Sequence, residues 1–172
     1  MNLTHVEFNL LFSIVAIPNI IVPLFGGAII DFLGINLSMF IYCFILFVAQ
    51  SIVTYAVYIN HYQWMLFGKI SFLYWLIIIG RFLYGAVTIN VDTGVLFVIN
   101  EYFAGKELSF AVGISISVGR MGTFLAATTY PHIYSSTQLL YLPFMISAGV
   151  AFLGWILSII LWILNVRREE ES

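Results

Sequence analysis

The sequence predicts an all-α protein embedded in a membrane, a polytopic bundle of five transmembrane helices. Three observations carry that expectation. The 172 residues are 62% hydrophobic and only 8% charged, with a mean hydropathy of +1.06, and a water-soluble domain of this size needs a far more charged surface. The apolar residues fall into five runs, about 8–30, 35–58, 72–98, 109–130 and 139–164. At about 1.5 Å per residue each is long enough to cross a hydrocarbon core of about 30 Å. Most of the few charges lie between and after these runs, so the solvent around most of the chain is expected to be lipid.

The first run, FNLLFSIVAIPNIIVPLFGGAII, is interrupted by Pro18 and Pro23. Each proline removes a backbone donor, so the helix is expected to kink, a feature membrane helices tolerate when neighbours satisfy the freed carbonyls. Gly26 and Gly27 permit close approach of another helix. Asp31 ends the run, and Gly34 allows a tight turn into the second, whose later half carries the polar Gln50, Ser51 and Thr54. Those three are expected to form hydrogen bonds within and between helices. From Ile59 to Ser71 the pattern loosens into INHYQWMLFGKIS, read as a loop or interfacial segment with Tyr62 and Trp64 at headgroup level and His61 exposed.

The third run carries charge inside the span. At about 100° per residue Arg81, Gly85, Thr88 and Asp92 fall within about 40° of one line, while Asn90 points away from it. Arg81 and Asp92 are about 16 Å apart along the axis, too far to pair with each other. Each therefore needs a partner on another helix, a solute or water. A charge at mid-span costs roughly 2.5–3.5 kcal/mol on insertion scales, and such groups persist where they face a packed interior or a wet path. A structural charge network between helices is the competing reading.

An elbow, EYFAGKEL, leads into the fourth run, which is rich in small residues and has Gly113, Ser117, Arg120 and Ala127 on one face. Arg120 stands near mid-span, and its five fixed donors can hold a carboxylate bidentately. A polar segment, PHIYSSTQ, follows. The fifth run is uncharged, with Pro143 near its start, and ends in the charged tail NVRREEES, residues 165–172. Five spans put the chain ends on opposite faces. A cytosolic tail places Lys106, Arg167 and Arg168 on that side against Lys69 on the other, in agreement with the positive-inside rule.

Several function classes are not expected. Net charge is −2 with six Lys and Arg, which leaves no electrostatic footprint for nucleic acid. His5, His61 and His132 are scattered without metal-ligand spacing, and no nucleophile–base set, P-loop or GxGxxG occurs. Neither an enzyme, a cofactor nor a metal is therefore expected. Cys43 lies in an apolar run and reads as a small buried hydrophobe. No basic segment precedes the first run, so a cleaved signal peptide is not expected.

The turn Gly27-x3-Asp31-x2-Gly34 resembles the signature between helices 2 and 3 of the major facilitator superfamily, and Arg81 with Gly85 resembles its helix 4 signature. PNIIVPLFGGAIIDFLGI, GRFLYG and FAGKELSFAVGISISVGRMG are similar, more narrowly, to the lysosomal dipeptide uniporters of that superfamily. The resemblance implies that the five spans are helices 2 to 6, part of the N-terminal half of an alternating-access carrier that exports small, often cationic dipeptides to the cytosol. It implies substrate contacts at Arg120, on the family's carboxylate-holding arginine, and gating or coupling at Arg81, Asp31, Gly27 and Gly34. The family's amine-holding acid falls on Ile89, so Asp92, one turn further, is the candidate to replace it. Basic residues usual beside Asp31 are missing, with Phe32, Ile35 and Asn36 in their region. The resemblance further implies a homodimer and a glycosylated lysosomal accessory membrane protein as partners. Two other readings stay open: a carrier of the superfamily for another small solute, proton-coupled or not, and a truncated, non-transporting membrane protein.

Overall fold

A computed structural model describes residues 5–63 and 70–171, and every regular element among them is helical. The elements are α1 (His5–Leu33), α2 (Ile35–Gln63), α3 (Ile70–Tyr102), α4 (Lys106–Thr137) and α5 (Tyr141–Glu171). Four of them contain an apolar stretch of membrane-spanning length, and α1 makes a fifth once its two limbs are taken together. The limbs, Ser13–Pro23 and Phe25–Leu33, meet at 53°, directly after Pro23, as expected where a proline withholds a helical donor.

Several helices run past the hydropathy limits. α2 continues to Gln63, so the expected loop from Ile59 is helical for its first turn; Trp64 and Lys69 lie outside the described residues. The segment PHIYSSTQ is not a loop: α4 carries Pro131 inside it and reaches Thr137, with Gln138 as a left-handed cap whose N–H bonds the Tyr134 carbonyl. The tail likewise continues α5 to Glu171. Hydropathy marks the part of a helix that lipid covers, whereas the backbone ladder continues until a cap or turn stops it. Such stops are visible at Gly34 (φ 78°) and Gly105 (φ 61°), where a left-handed backbone suits glycine.

The packed body is built from α1, α2, α3 and α5. α3 lies against both α1 and α2, and α2 also pairs with α5. In lipid there is no hydrophobic drive between apolar helices, so small residues that allow close approach decide where they meet. α3 has three such points. A side chain at Gly80 would press on Val53 and the Ala49 carbonyl of α2, one at Gly94 would collide with Met39, and one at Gly85 would collide with the Val15 backbone of α1. Gly26 of α1 accepts the Asn90 side chain at the same seam. Gly27, expected to help in close approach, has open space where a Cβ would stand; one helical step of 100° turns it away from α3.

Polar side chains lock these seams. Tyr42 of α2 donates to the Gly26 carbonyl at 3.1 Å, and Ser38 donates to the Ile29 carbonyl at 3.4 Å. Thr54 of α2 is shared between its own Gln50 carbonyl, 2.8 Å, and the Phe144 carbonyl of α5, 3.0 Å. Ser51, in contrast, is satisfied inside its helix by Phe47. Along the α2–α5 seam an aromatic row joins Phe40, Phe44 and Phe47 to Trp155, with centroids 5.5–6.2 Å apart. Large apolar side chains such as Phe32 (89% exposed) and Ile20 (76%) point outward, the arrangement lipid requires.

Gly85→Ala and Gly27→Ala should separate in thermal unfolding of the purified chain. Both gain up to about 1 kcal/mol of helix propensity, but only Gly85→Ala forces a Cβ into backbone, at a cost of about 1–3 kcal/mol. Equal melting temperatures for the two variants would show that the α1–α3 contact is not tight.

Candidate functional site

The polar stripe of α3 is only partly open. Gly85 is buried against Val15, so α1 crosses the stripe there, leaving Arg81 half-buried on one side and Asp92 exposed on the other. Thr88 spends its hydroxyl on the Tyr84 carbonyl at 2.6 Å. Ile89 is half-buried and Asn90 is 3% exposed. Asn90 points away from the stripe and into the α1 contact, where its amide also donates to the Ala86 carbonyl at 3.1 Å. Among the described residues neither Arg81 nor Asp92 forms an ion pair.

Arg120 stands on the one helix that joins the others least. α4 has no buried residue and makes only marginal contact with α3 and α5. Its tie to α5 is the 2.7 Å bond between the Tyr130 and Ser147 hydroxyls. Its glycines meet no neighbour: a Cβ at Gly113, Gly119 or Gly122 would find open space. A concavity of about 410 Å³ runs along this face between Ser109 and Met121, lined by Gly113, Ile114, Ser117 and Val118 among others. Arg120 is exposed beside it and forms no ion pair among the described residues. Arg120 and Asp92 are thus both presented outward from the α3–α4 hairpin rather than into the packed body.

The turn residues sit apart from these two. Asp31 is exposed at the end of α1, and Gly34 makes the left-handed turn into α2, whose first bond runs from the Ser38 N–H to the Gly34 carbonyl at 3.2 Å. Gly27 is half-buried without a neighbour at its Cβ position. No cluster of three or more His, Cys, Asp or Glu that could hold a metal ion occurs among the described residues.

Three residues at the same end of the bundle had no assigned role in the sequence reading. Tyr102, the last residue of α3, donates to Asn165 Oδ1 of α5, and Asn165 Nδ2 donates to Asn36 Oδ1 of α2. The partners are 63 and 129 residues apart, so no local spacing could have brought them together. Asn165, at the boundary between the fifth apolar run and the charged tail, gave no signal in sequence beyond its amide.

Comparison with known proteins places this geometry in context. A family model described as Major Facilitator Superfamily matches residues 1–172. Among curated proteins the chain is similar to "Lysosomal dipeptide transporter MFSD1" of Danio rerio, 25% identical over 99% of this chain and 36% of that protein. The protein of the same name from Homo sapiens is 29% identical over 92% of this chain and 31% of its own length. That from Bos taurus is 27% identical over 80% and 27%. The chain spans about a third of the length of the curated relatives it matches. No solved structure matches it significantly.

In a membrane-insertion assay of the α4 segment, Arg120→Leu should favour insertion by roughly 2.5–3.5 kcal/mol, since nothing on α4 compensates the guanidinium. A difference near zero would mean that local snorkelling already relieves the charge.

Proposed function

The chain belongs to the Major Facilitator Superfamily, and from that membership we propose that it forms part of an alternating-access carrier for small dipeptides. The observation that carries the reading is the pair of exposed, opposite charges presented by the α3–α4 hairpin, Asp92 and Arg120, neither in an ion pair among the described residues. A dipeptide offers their complements, an ammonium at one end and a carboxylate at the other. Asp92 lies about 15 Å before the end of α3 and Arg120 about 21 Å beyond the start of α4 at helical rise. The difference in depth, about 6 Å, is close to the roughly 7 Å of two extended residues.

In this reading the Arg120 fork holds the carboxylate through two parallel, charge-assisted bonds, and Asp92 receives the ammonium. Both charges are taken from water at once, and the solute supplies a counter-charge to each. Arg81, Asp31, Gly27 and Gly34 then serve gating or coupling, with Gly34 setting the turn between α1 and α2. Carriers of this superfamily place their site between two related halves, so the face bearing Arg120 is where the rest of the transporter belongs. The name of the relatives supports a lysosomal membrane as the location, and the family resemblance adds a homodimer and a glycosylated accessory membrane protein as partners.

One observation favours a second reading. Ile89, where the resemblance puts the amine-holding acid, is apolar and half-buried; a superfamily carrier for an anionic solute without a free amine needs Arg120 but not Asp92.

Uptake into proteoliposomes by the full polypeptide of which these residues form part separates the two. A dipeptide carrier should lose about tenfold or more in transport with Arg120→Leu and with Asp92→Asn, as expected when one partner of a charge pair is removed. Retained activity in Asp92→Asn with loss in Arg120→Leu supports the second reading. The 172-residue chain alone is expected to give no flux.

A further inference from the structure

The three neutral side chains at the tail-side end of the bundle form an ordered chain of donors and acceptors. Tyr102 donates its hydroxyl to Asn165 Oδ1, and Asn165 donates its amide to Asn36 Oδ1. Asn165 is 4% exposed, so neither of its bonds is easily replaced by water. Each partner sits at a helix end: Tyr102 closes α3, and Asn36 opens α2 just after the Gly34 turn. Asn165, which belongs to α5, thus bonds both of the others. The same α2–α5 seam continues inward one heptad from each residue, to the buried Cys43 and Ser158, and then into the aromatic row around Trp155.

We propose that Asn165 is a positioning hub that fixes the tail-side ends of α2 and α3 to α5, so that these three ends move as one unit. Rearrangement at this membrane face is then left to α4, which leaves α3 through the positive-φ Gly105 and has no buried residue along its length. Such a hub requires no solute and is independent of whether the protein carries dipeptides. It concerns how the helix bearing Arg81 and Asp92 is held, and so these three residues act on any site there only through α3.

The direction of the two bonds supplies a test in which each variant has its own pattern. Amide hydrogen exchange is measured on the whole chain at two places, the end of α3 (residues 98–103) and the start of α2 (residues 36–41). Tyr102→Phe keeps the ring and removes the donor, so exchange should quicken about tenfold at the α3 end alone, the effect of losing one hydrogen bond. Asn36→Leu should quicken the α2 start alone. Asn165→Leu should quicken both, and should also speed alkylation of the native, buried Cys43 thiol. Asn165→Asp retains the acceptor for Tyr102, and the Asn36 amide can rotate to donate to the new carboxylate, so it should keep both ends protected relative to Asn165→Leu. The inference is overturned if Asn165→Asp and Asn165→Leu behave alike at the α3 end, or if Tyr102→Phe leaves that end unchanged. It is equally overturned if the mild variant Tyr102→Phe quickens exchange throughout all five helices, because the network would then brace the whole fold.

Discussion

The structure depends on how closely backbones can approach one another in lipid. Apolar helices gain nothing by hiding from hydrocarbon, so their association rests on dispersion at short range and on hydrogen bonds between helices. α3 meets that requirement with glycines at 80, 85 and 94, set against Val53, the Val15 backbone and Met39. Removing a side chain at these points lets one helix serve two neighbours, and the Tyr42–Gly26 and Thr54–Phe144 bonds hold the partners in register. The crossing at Gly85 also sets the limits of the polar stripe, because it divides Arg81 from Asp92 with the backbone of α1.

α4 shows the opposite condition. It is also rich in small residues, yet Gly113, Gly119 and Gly122 all have open space where a Cβ would stand and no residue of the helix is buried. An apolar helix can stand alone in lipid, but one carrying Arg120 near its middle does so against a sizeable electrostatic cost. The charge therefore argues that this surface is covered in the functioning protein, by a solute, by water or by another helix. The packed body and the charged hairpin are in this sense separate parts of one chain: the first is satisfied internally, and the second is arranged to be completed from outside.

Much of this was legible along the chain. Five apolar runs, the kink after Pro23 (though not one at Pro18, which lies within the first limb), the turn at Gly34 and the orientation of Asn90 away from the charged stripe follow from local rules of length, donor loss, φ and helical phase. Gly26 and Gly27 show where such rules stop. They read identically in sequence, but a single helical step separates the one that receives Asn90 from the one that faces open space. Gln50, Ser51 and Thr54 behave likewise, since Thr54 reaches across to α5 whereas Ser51 bonds its own helix.

The sequence by itself determined the class of the protein, the number of membrane-length segments and the positions of the three charges within them, because hydropathy and helical periodicity act over a few turns. The tertiary structure alone decided which glycines are contact points, that α1 covers the stripe at Gly85, that α4 lies outside the packed body, and that Asn36, Tyr102 and Asn165 meet. Those facts depend on which helices become neighbours, and that choice is made by backbone approach between residues far apart in the chain, a quantity no local window contains.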